Sequence, residues 1–314
     1  MLIMPARTIV SILSLMAGAA IFGPAVIATV HGADTDGKIE TPVAQPSTAK
    51  ETAKTGEAQP PLFPTAESMK ELYQPYLPNL ESYEPMYFLV GTNPEDSKFQ
   101  VSLKYRLFSE EGSLAQRFPW ITGFHFGYTQ TSFWDLKSAS APFEDTSYKP
   151  EVLFLSTNIT TGIPYTKGFF VQSGLQHESN GRDGNASRST NFLYLRPMCV
   201  FYDEASRLGL MVAPRLWLYL ANAEDTNPDL SEYRGYFDLE VKVGKADGVV
   251  LGSHLRWAEE GGSTQLDLTY PLHQWLSGNL DVYLQVQYVD GLAESLLHFR
   301  ERTRALRLGV ALVR

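Results

Sequence analysis

The chain has 314 residues, a net charge of -9 and a single cysteine. With only Cys199, no internal disulfide can form, and an acidic chain without a Lys/Arg-rich patch is not built for nucleic acid. Apolar residues make up 44%, charged residues 19% and aromatics a high 12%, over a length that suits one large domain or two small ones.

Residues 1–33 read as a secretory signal peptide. Arg7 and the terminal amine precede an apolar run from Thr8 to Val30, and small residues suited to cleavage follow at Gly32 and Ala33. The competing reading is an uncleaved membrane anchor, since the run is long and contains Pro24. Residues 34–67 are rich in Thr, Ala, Lys, Glu, Gln and Pro, with almost no large apolar residue before Leu62, and are expected to be disordered. After the leader, no stretch offers the ~20 apolar residues of a spanning helix.

From residue 68 onward the chain is expected to form an N-terminal extension and then a barrel. Phe99, Val101, Leu103, Tyr105 and Leu107 alternate with Gln100, Ser102, Lys104 and Arg106. Leu280, Val282, Leu284, Val286 and Tyr288 alternate with Asp281, Tyr283, Gln285 and Gln287, and Leu306 to Leu312 repeat the pattern. A period of two marks strands, and turn clusters divide the chain into about twelve of them. They fall near 84–92, 98–108, 118–133, 150–159, 167–178, 190–202, 207–221, 233–243, 247–258, 264–272, 278–289 and 303–313.

The expected class is all-β, an antiparallel transmembrane barrel of about twelve strands with lipid outside and polar residues within. The strands are long enough for a tilted span, and charged residues sit where a soluble sandwich would carry Ser or Thr. Aromatics near strand ends (Phe133, Trp134, Trp217, Tyr219, Trp257 and Trp275) suggest interfacial girdles. His125, His254, His273 and His298 lack metal-ligand spacing and read as interface or loop residues.

Chemistry concentrates in the stretch GLQHESNGRDGNASRSTNFLYL, from Gly174 to Leu195. His177 and Ser179 are two apart, so an extended strand sends both side chains to one face. The run from Asn180 to Ser189 reads as a turn, after which a returning strand brings Asn191 beside His177. If Gln172 and Gln176 face the lumen, His177 and Ser179 face lipid. Nucleophile, base and orienting group together are the parts of acyl transfer.

HESNGR followed by SRSTN resembles the HDSNGR…SRSWN signature of the outer-membrane phospholipase A family, calcium-dependent bacterial lipases built on a β-barrel. YTQTSFWDL, APF with TSYKP, NPDLSEYRGYF and YLQVQYVDGLAESLLHF match in the same order, over about residues 83 to 313. The resemblance implies a Ser179–His177–Asn191 triad with Gly181 supplying an oxyanion N–H. It implies Ca²⁺ held by oxygens of Arg182, Ser187 and, from a partner subunit, Ser140, with Asp225 or Thr226 at a secondary calcium site. It further implies a homodimer with Gln130 on its face, an inactive monomer, and phospholipid and lysophospholipid substrates at the outer leaflet of the outer membrane.

One departure stands out. Members of the family usually end in an aromatic residue, often Phe, and here Arg314 is last. Two other readings compete with the enzyme: a non-enzymatic outer-membrane barrel, either pore or structural, and a soluble periplasmic β-sandwich hydrolase.

Overall fold

The computed structural model describes residue 74 and residues 76–314, apart from 160–161, 163–165, 224 and 275–279. The expected leader (1–33), the low-complexity segment (34–67) and Trp275 lie outside the described residues.

In chain order the strands are β1 (Leu80–Ser82), β2 (Met86–Gly91), β3 (Ser97–Arg106), β4 (Phe124–Trp134), β5 (Phe143–Leu155), β6 (Thr166–Ser179) and β7 (Ser189–Asp203). There follow β8 (Leu208–Asn222), β9 (Phe237–Gly244), β10 (Val250–Ala258), β11 (Gly261–Pro271), β12 (Tyr283–Leu292) and β13 (Arg302–Val313). Two five-residue helices, α1 (Ser113–Arg117) and α2 (Leu230–Arg234), sit in loops.

Each strand from β2 onward pairs antiparallel with the next, and β13 returns to β2, closing the ring. Short β1 lies on the same side of β3 as β2 does, through Leu80↔Tyr105 and its neighbours. The two pieces form one stave broken at Pro85, which has no N–H to give a ladder. The sheet therefore closes with twelve staves, and closure leaves no unpaired ladder edge toward hydrocarbon.

Alternation fixes the faces. Leu216, Leu218, Leu266, Leu268, Leu308, Val310 and Leu312 are exposed on the outside, while Lys98, Glu151, Gln172, Gln176, Glu240, Gln285, Gln287 and Arg307 are buried within. The inverted pattern is that of a membrane barrel. Its interior is cross-linked: Arg307 donates to Glu294 Oε2 (3.1 Å) and Gln287 Oε1 (3.1 Å), Lys98 reaches Glu294 (2.8 Å), and Gln285 and Gln287 both donate to Asp267 (2.7 Å each). Polar groups fill the lumen around a cavity of about 290 Å³, as expected between a filled small barrel and an open porin.

At the rim that carries the 180–188 turn, Leu230 of α2 packs with Ala293, Leu296 and Phe299 of the β12–β13 loop, all buried. This apolar cluster covers the mouth, and Leu297 N–H ties it to Asp145 of β5 (2.9 Å). At the opposite rim, the Arg314 guanidinium donates to the carbonyls of Gly248 (2.8 Å) and Ala246 (2.6 Å) and lies over the Tyr283 ring, 4.2 Å from its centroid.

Several expectations shift. The strand expected over 118–133 starts at Phe124, because Pro119–Gly123 turns as a 3₁₀ segment. That expected over 150–159 starts at Phe143; inward Asp145, Ser147 and Lys149 had masked its alternation. Asp281 lies exposed ahead of β12 rather than within it. Phe133 and Trp217 point inward, Trp217 packing on Phe192 and Tyr194, so neither belongs to a girdle. Trp134 and Trp257 do face outward, the first among Phe88, Phe99 and Phe143, the second stacked on Phe237. His254 is a lumen residue held by Asp238 (3.1 Å).

Candidate active site

The site is built on the β6–β7 hairpin. Register places His177 opposite Asn191 and Ser179 opposite Ser189. Gln172, Gln176 and Glu178 are buried in the lumen, so His177 and Ser179 leave the outer face. Asn191 Oδ1 can only accept, so His177 Nδ1 carries the proton and donates to it at 2.8 Å. The Asn191 amide nitrogen turns toward Ala221 O (3.5 Å), beside a β-bulge where the β7–β8 register shifts between Asn191 and Phe192. Nε2 is left as the base on the side of the ring away from Asn191. Ser179 and His177 share a face without a hydrogen bond between them, and such contacts commonly tighten only with substrate present.

The 180–188 turn is stapled by one buried side chain. Asn180 Oδ1 accepts from the N–H of Arg188 (2.9 Å) and of Arg182 (3.4 Å), and its amide donates to Ala186 O (2.8 Å). Gly181 sits at φ +66°, where a Cβ would stand 2.9 Å from the Tyr148 ring. Position 181 needs glycine on both counts. Its N–H, two residues past Ser179, has no partner among the described residues.

The residues expected to meet calcium lie on three loops. Arg182 and Ser187 share the stapled turn, and neither the Arg182 carbonyl nor the Ser187 hydroxyl is engaged among the described residues. The Arg182 side chain is occupied elsewhere, donating to Glu144 O and lying 4.0 Å from the Asp145 carboxylate. Ser140 is exposed in the β4–β5 loop, which is held by Asp135; hydrogen bonds from the Ser138 hydroxyl and N–H keep that carboxyl below its usual range. Asp225 and Thr226 belong to the β8–α2 loop, Asp225 exposed and Thr226 half-buried. Arg182 and Ser187 thus share one turn, while Ser140 belongs to a separate loop of the same rim. Among the described residues no three His, Cys, Asp or Glu side chains could hold a metal, so a cation here would rest on hydroxyl and carbonyl oxygens, donors that suit hard Ca²⁺.

Gln130 leaves the outer face of β4 and is not a lone amide. Tyr128 Oη donates to its Oε1 (3.0 Å), its Nε2 donates to Ser132 Oγ (3.2 Å), and Thr146 Oγ1 donates to Ser132 Oγ (3.0 Å). Register carries this polar row across the barrel, from Gln130 to Tyr148 and from Tyr148 to Ser179.

Against known proteins, the family model for phospholipase A1 matches residues 62–312. The chain belongs to the phospholipase A1 family. Phospholipase A1 of Escherichia coli K12 is 31% identical over 237 residues, 74% of this chain and 75% of that protein. That of Klebsiella pneumoniae is 30% identical over 241 residues, 75% and 76% of the two chains. Among solved structures, outer membrane phospholipase A from E. coli superposes with a TM-score of 0.61 at 26% identity, covering 74% of this chain and 98% of that one. The Salmonella typhi enzyme, solved as a dimer with bound calcium, gives a TM-score of 0.60 at 25% identity, covering 74% and 92%. The E. coli enzyme has also been solved as an active-site mutant with an asparagine replaced by alanine. This family protein is a phospholipase that crosses the outer membrane of Gram-negative bacteria many times as a twelve-stave barrel. The soluble sandwich is excluded by closure and by the outward leucines.

Residue reading missed four side chains that shape the site. Asn180 was visible only as part of an Asn-Gly turn signal. Glu178 lies between His177 and Ser179, and period two assigns it to the lumen, but its partner Arg234 is 56 residues away. Asn227, fully buried, accepts the Ser189 N–H (3.2 Å) and donates to its carbonyl (3.3 Å), a contact no spacing announces.

Proposed function

We propose that the chain is a calcium-dependent hydrolase of acyl esters in phospholipids and lysophospholipids, with both A1 and A2 activity, working at the outer leaflet through Ser179, His177 and Asn191. The observation that carries the reading is the 2.8 Å His177–Asn191 hydrogen bond on the outer face, beside Ser179. It agrees with the asparagine whose loss defines the active-site mutant of the E. coli relative.

His177 Nε2 takes the Ser179 proton as Oγ attacks the ester carbonyl, then returns it to the leaving glycerol oxygen; water repeats the exchange on the acyl-enzyme. Asn191 holds the ring through a neutral bond. A carboxylate in that position would lie against hydrocarbon, where charge is costly. The Gly181 N–H meets the oxyanion. Calcium, which the Salmonella typhi relative binds as a dimer, would supply positive charge beside that oxyanion, held by the Arg182 carbonyl, the Ser187 hydroxyl and Ser140 of a second copy. The Salmonella typhi relative binds calcium as a dimer, which supports a ligand set completed by the second copy. The Gln130 row, level with Ser179, suits a face where two copies meet. The lumen's dense ion pairing speaks for a scaffold rather than a pore.

The test is fatty-acid release from phospholipid by the detergent-solubilised protein, with calcium and with EDTA, beside Ser179→Ala. Hydrolysis that needs calcium and is lost in Ser179→Ala supports the reading. Activity unchanged in Ser179→Ala discards the site, and no hydrolysis by a folded dimer with calcium present returns the barrel to a non-enzymatic role.

A further inference from the structure

On the lumen side of the same strand, the Glu178 side chain leaves the backbone between His177 and Ser179 and is 3% exposed. Arg234 grips both of its oxygens, Nη1 to Oε2 at 2.6 Å and Nη2 to Oε1 at 3.4 Å. From β5, Ser147 Oγ donates to Oε1 at 2.9 Å, and the Lys149 ammonium lies 3.9 Å away. The carboxylate is therefore held from two directions, by the neighbouring stave and by α2.

Arg234 is itself fixed. It ends α2, whose Leu230 is buried in the apolar cluster at the barrel mouth. Gly235 follows at φ +71°, its N–H closing on Ser231 O (2.8 Å), where any Cβ would meet the Trp257 carbonyl at 2.1 Å. The loop leading into α2 supplies Asn227, which bonds both main-chain groups of Ser189, the residue opposite Ser179. One segment thus braces both strands of the catalytic hairpin.

We propose that the Glu178–Arg234 ion pair is a positioning element for the reaction: it sets the backbone from which His177 and Ser179 both project, and with Asn227 holds β6 and β7 in the register that aligns Ser179, His177 and Asn191. The proposal rests on the triad reading above. Its physical basis is the short lever. A displacement at residue 178 moves base and nucleophile together, and misplacement of reacting groups by about 1 Å can cost about 100-fold in rate. Breaking one partner also leaves the other's buried charge uncompensated, whereas removing both relieves that pair and leaves only the more distant Lys149.

The experiment compares Glu178→Gln, Arg234→Met and their double variant in detergent with calcium. Barrel integrity is followed by heat-modifiable migration. The readouts are kcat, KM and the rate at which an alkylsulfonyl fluoride labels Ser179, which reports the nucleophile without phospholipid turnover. The expectation is a fall in kcat and in labelling rate of up to about 100-fold with KM within about twofold, and no further loss in the double variant, because the two residues act as one unit. Folded single variants with kcat and labelling within about threefold of wild type would overturn the proposal. If a single variant does not fold, the double variant decides: lowered labelling supports the pair's role, and wild-type labelling removes it. An active Ser179→Ala protein strikes the triad itself; an inactive one beside an unperturbed Glu178→Gln protein strikes only the pair.

Discussion

Asn191 stands directly across the β6–β7 ladder from His177, and its amide oxygen accepts the Nδ1–H of the imidazole at 2.8 Å. Two consequences follow from that bond. It fixes the tautomer that leaves Nε2 basic, and it restrains the ring's rotation. Replacing Asn191 by Ala removes a neutral hydrogen bond worth about 1 kcal/mol net and frees the ring to turn, so kcat should fall by at least about tenfold while the barrel stays folded. Steady-state hydrolysis beside the Ser179→Ala protein measures it. The loss should be smaller than that of the nucleophile, and an Asn191→Ala protein at wild-type kcat would remove Asn191 from the triad.

Gly181 is the second point of fine tolerance. An alanine there must adopt φ near +66° and place its Cβ 2.9 Å from the Tyr148 ring. The left-handed conformation alone costs about 1–2 kcal/mol for a residue with a Cβ, and the clash displaces either the ring or the turn. Gly181→Ala should therefore lose activity more than stability, because the turn is also stapled by Asn180 while the N–H proposed to meet the oxyanion depends on position 181. Turnover and thermal unfolding on one preparation separate the two. Equal turnover in a folded Gly181→Ala protein would remove that N–H from the mechanism.

The calcium proposal distinguishes two neighbours by the atoms they offer. Arg182 would contribute a carbonyl, while its side chain already donates to Glu144 O. Ser187 would contribute its hydroxyl. The calcium concentration giving half-maximal activity should rise by about tenfold in Ser187→Ala, the loss of about 1.4 kcal/mol of a ligand's contribution, and by less than about threefold in Arg182→Ala. A titration of activity against free calcium reads both. The reverse order would place the Arg182 guanidinium, not its backbone, at the heart of the turn.

How much of this was legible in residues alone depends on the range of the interaction. Period two gave the barrel, its inverted polarity and the outward setting of His177 and Ser179, because alternation is a local property of a pleated strand. Asn191 could be paired with His177 because the intervening turn is rich in Gly, Asn and Ser and the fold there is a simple hairpin. Trp217 and Phe133 resemble girdle residues by position alone because aromatic residues serve both girdles and lumen, and only parity within each strand tells them apart. The start of β5 is hidden from the pattern because its first residues set inward Asp145, Ser147 and Lys149 beside outward Thr146 and Tyr148, with polar character on both faces. The grips of Arg234 on Glu178 and of Asn227 on Ser189 cross 56 and 38 residues, and no spacing rule reaches that far. Arg314 had no rationale in the local pattern; in the fold its guanidinium caps carbonyls of the β9–β10 turn and covers Tyr283.

The last prediction concerns the cap over the barrel mouth. Asp229, just before α2, accepts two hydrogen bonds from Arg300 of the β12–β13 loop, at 2.8 and 2.5 Å. The Arg300 guanidinium beside Asp229 holds its carboxyl below the usual carboxylate range. A carboxyl whose folded value is depressed contributes stability that is complete above its unfolded value, about 3.9, and is lost as pH falls through the lower folded value. This polar tie between the two loops should therefore be complete at neutral pH and loosen in acid below about pH 4, while the apolar cluster of Leu230, Leu296 and Phe299 and the staves remain. Because the pair is largely exposed, its effect should be modest and weaken with salt. Limited proteolysis of the 293–301 loop against pH provides the measurement, with Asp229→Asn as control. Cleavage should rise in acid for the wild type and be higher and nearly flat with pH in Asp229→Asn; an equal rise in both would assign the acid opening to another group.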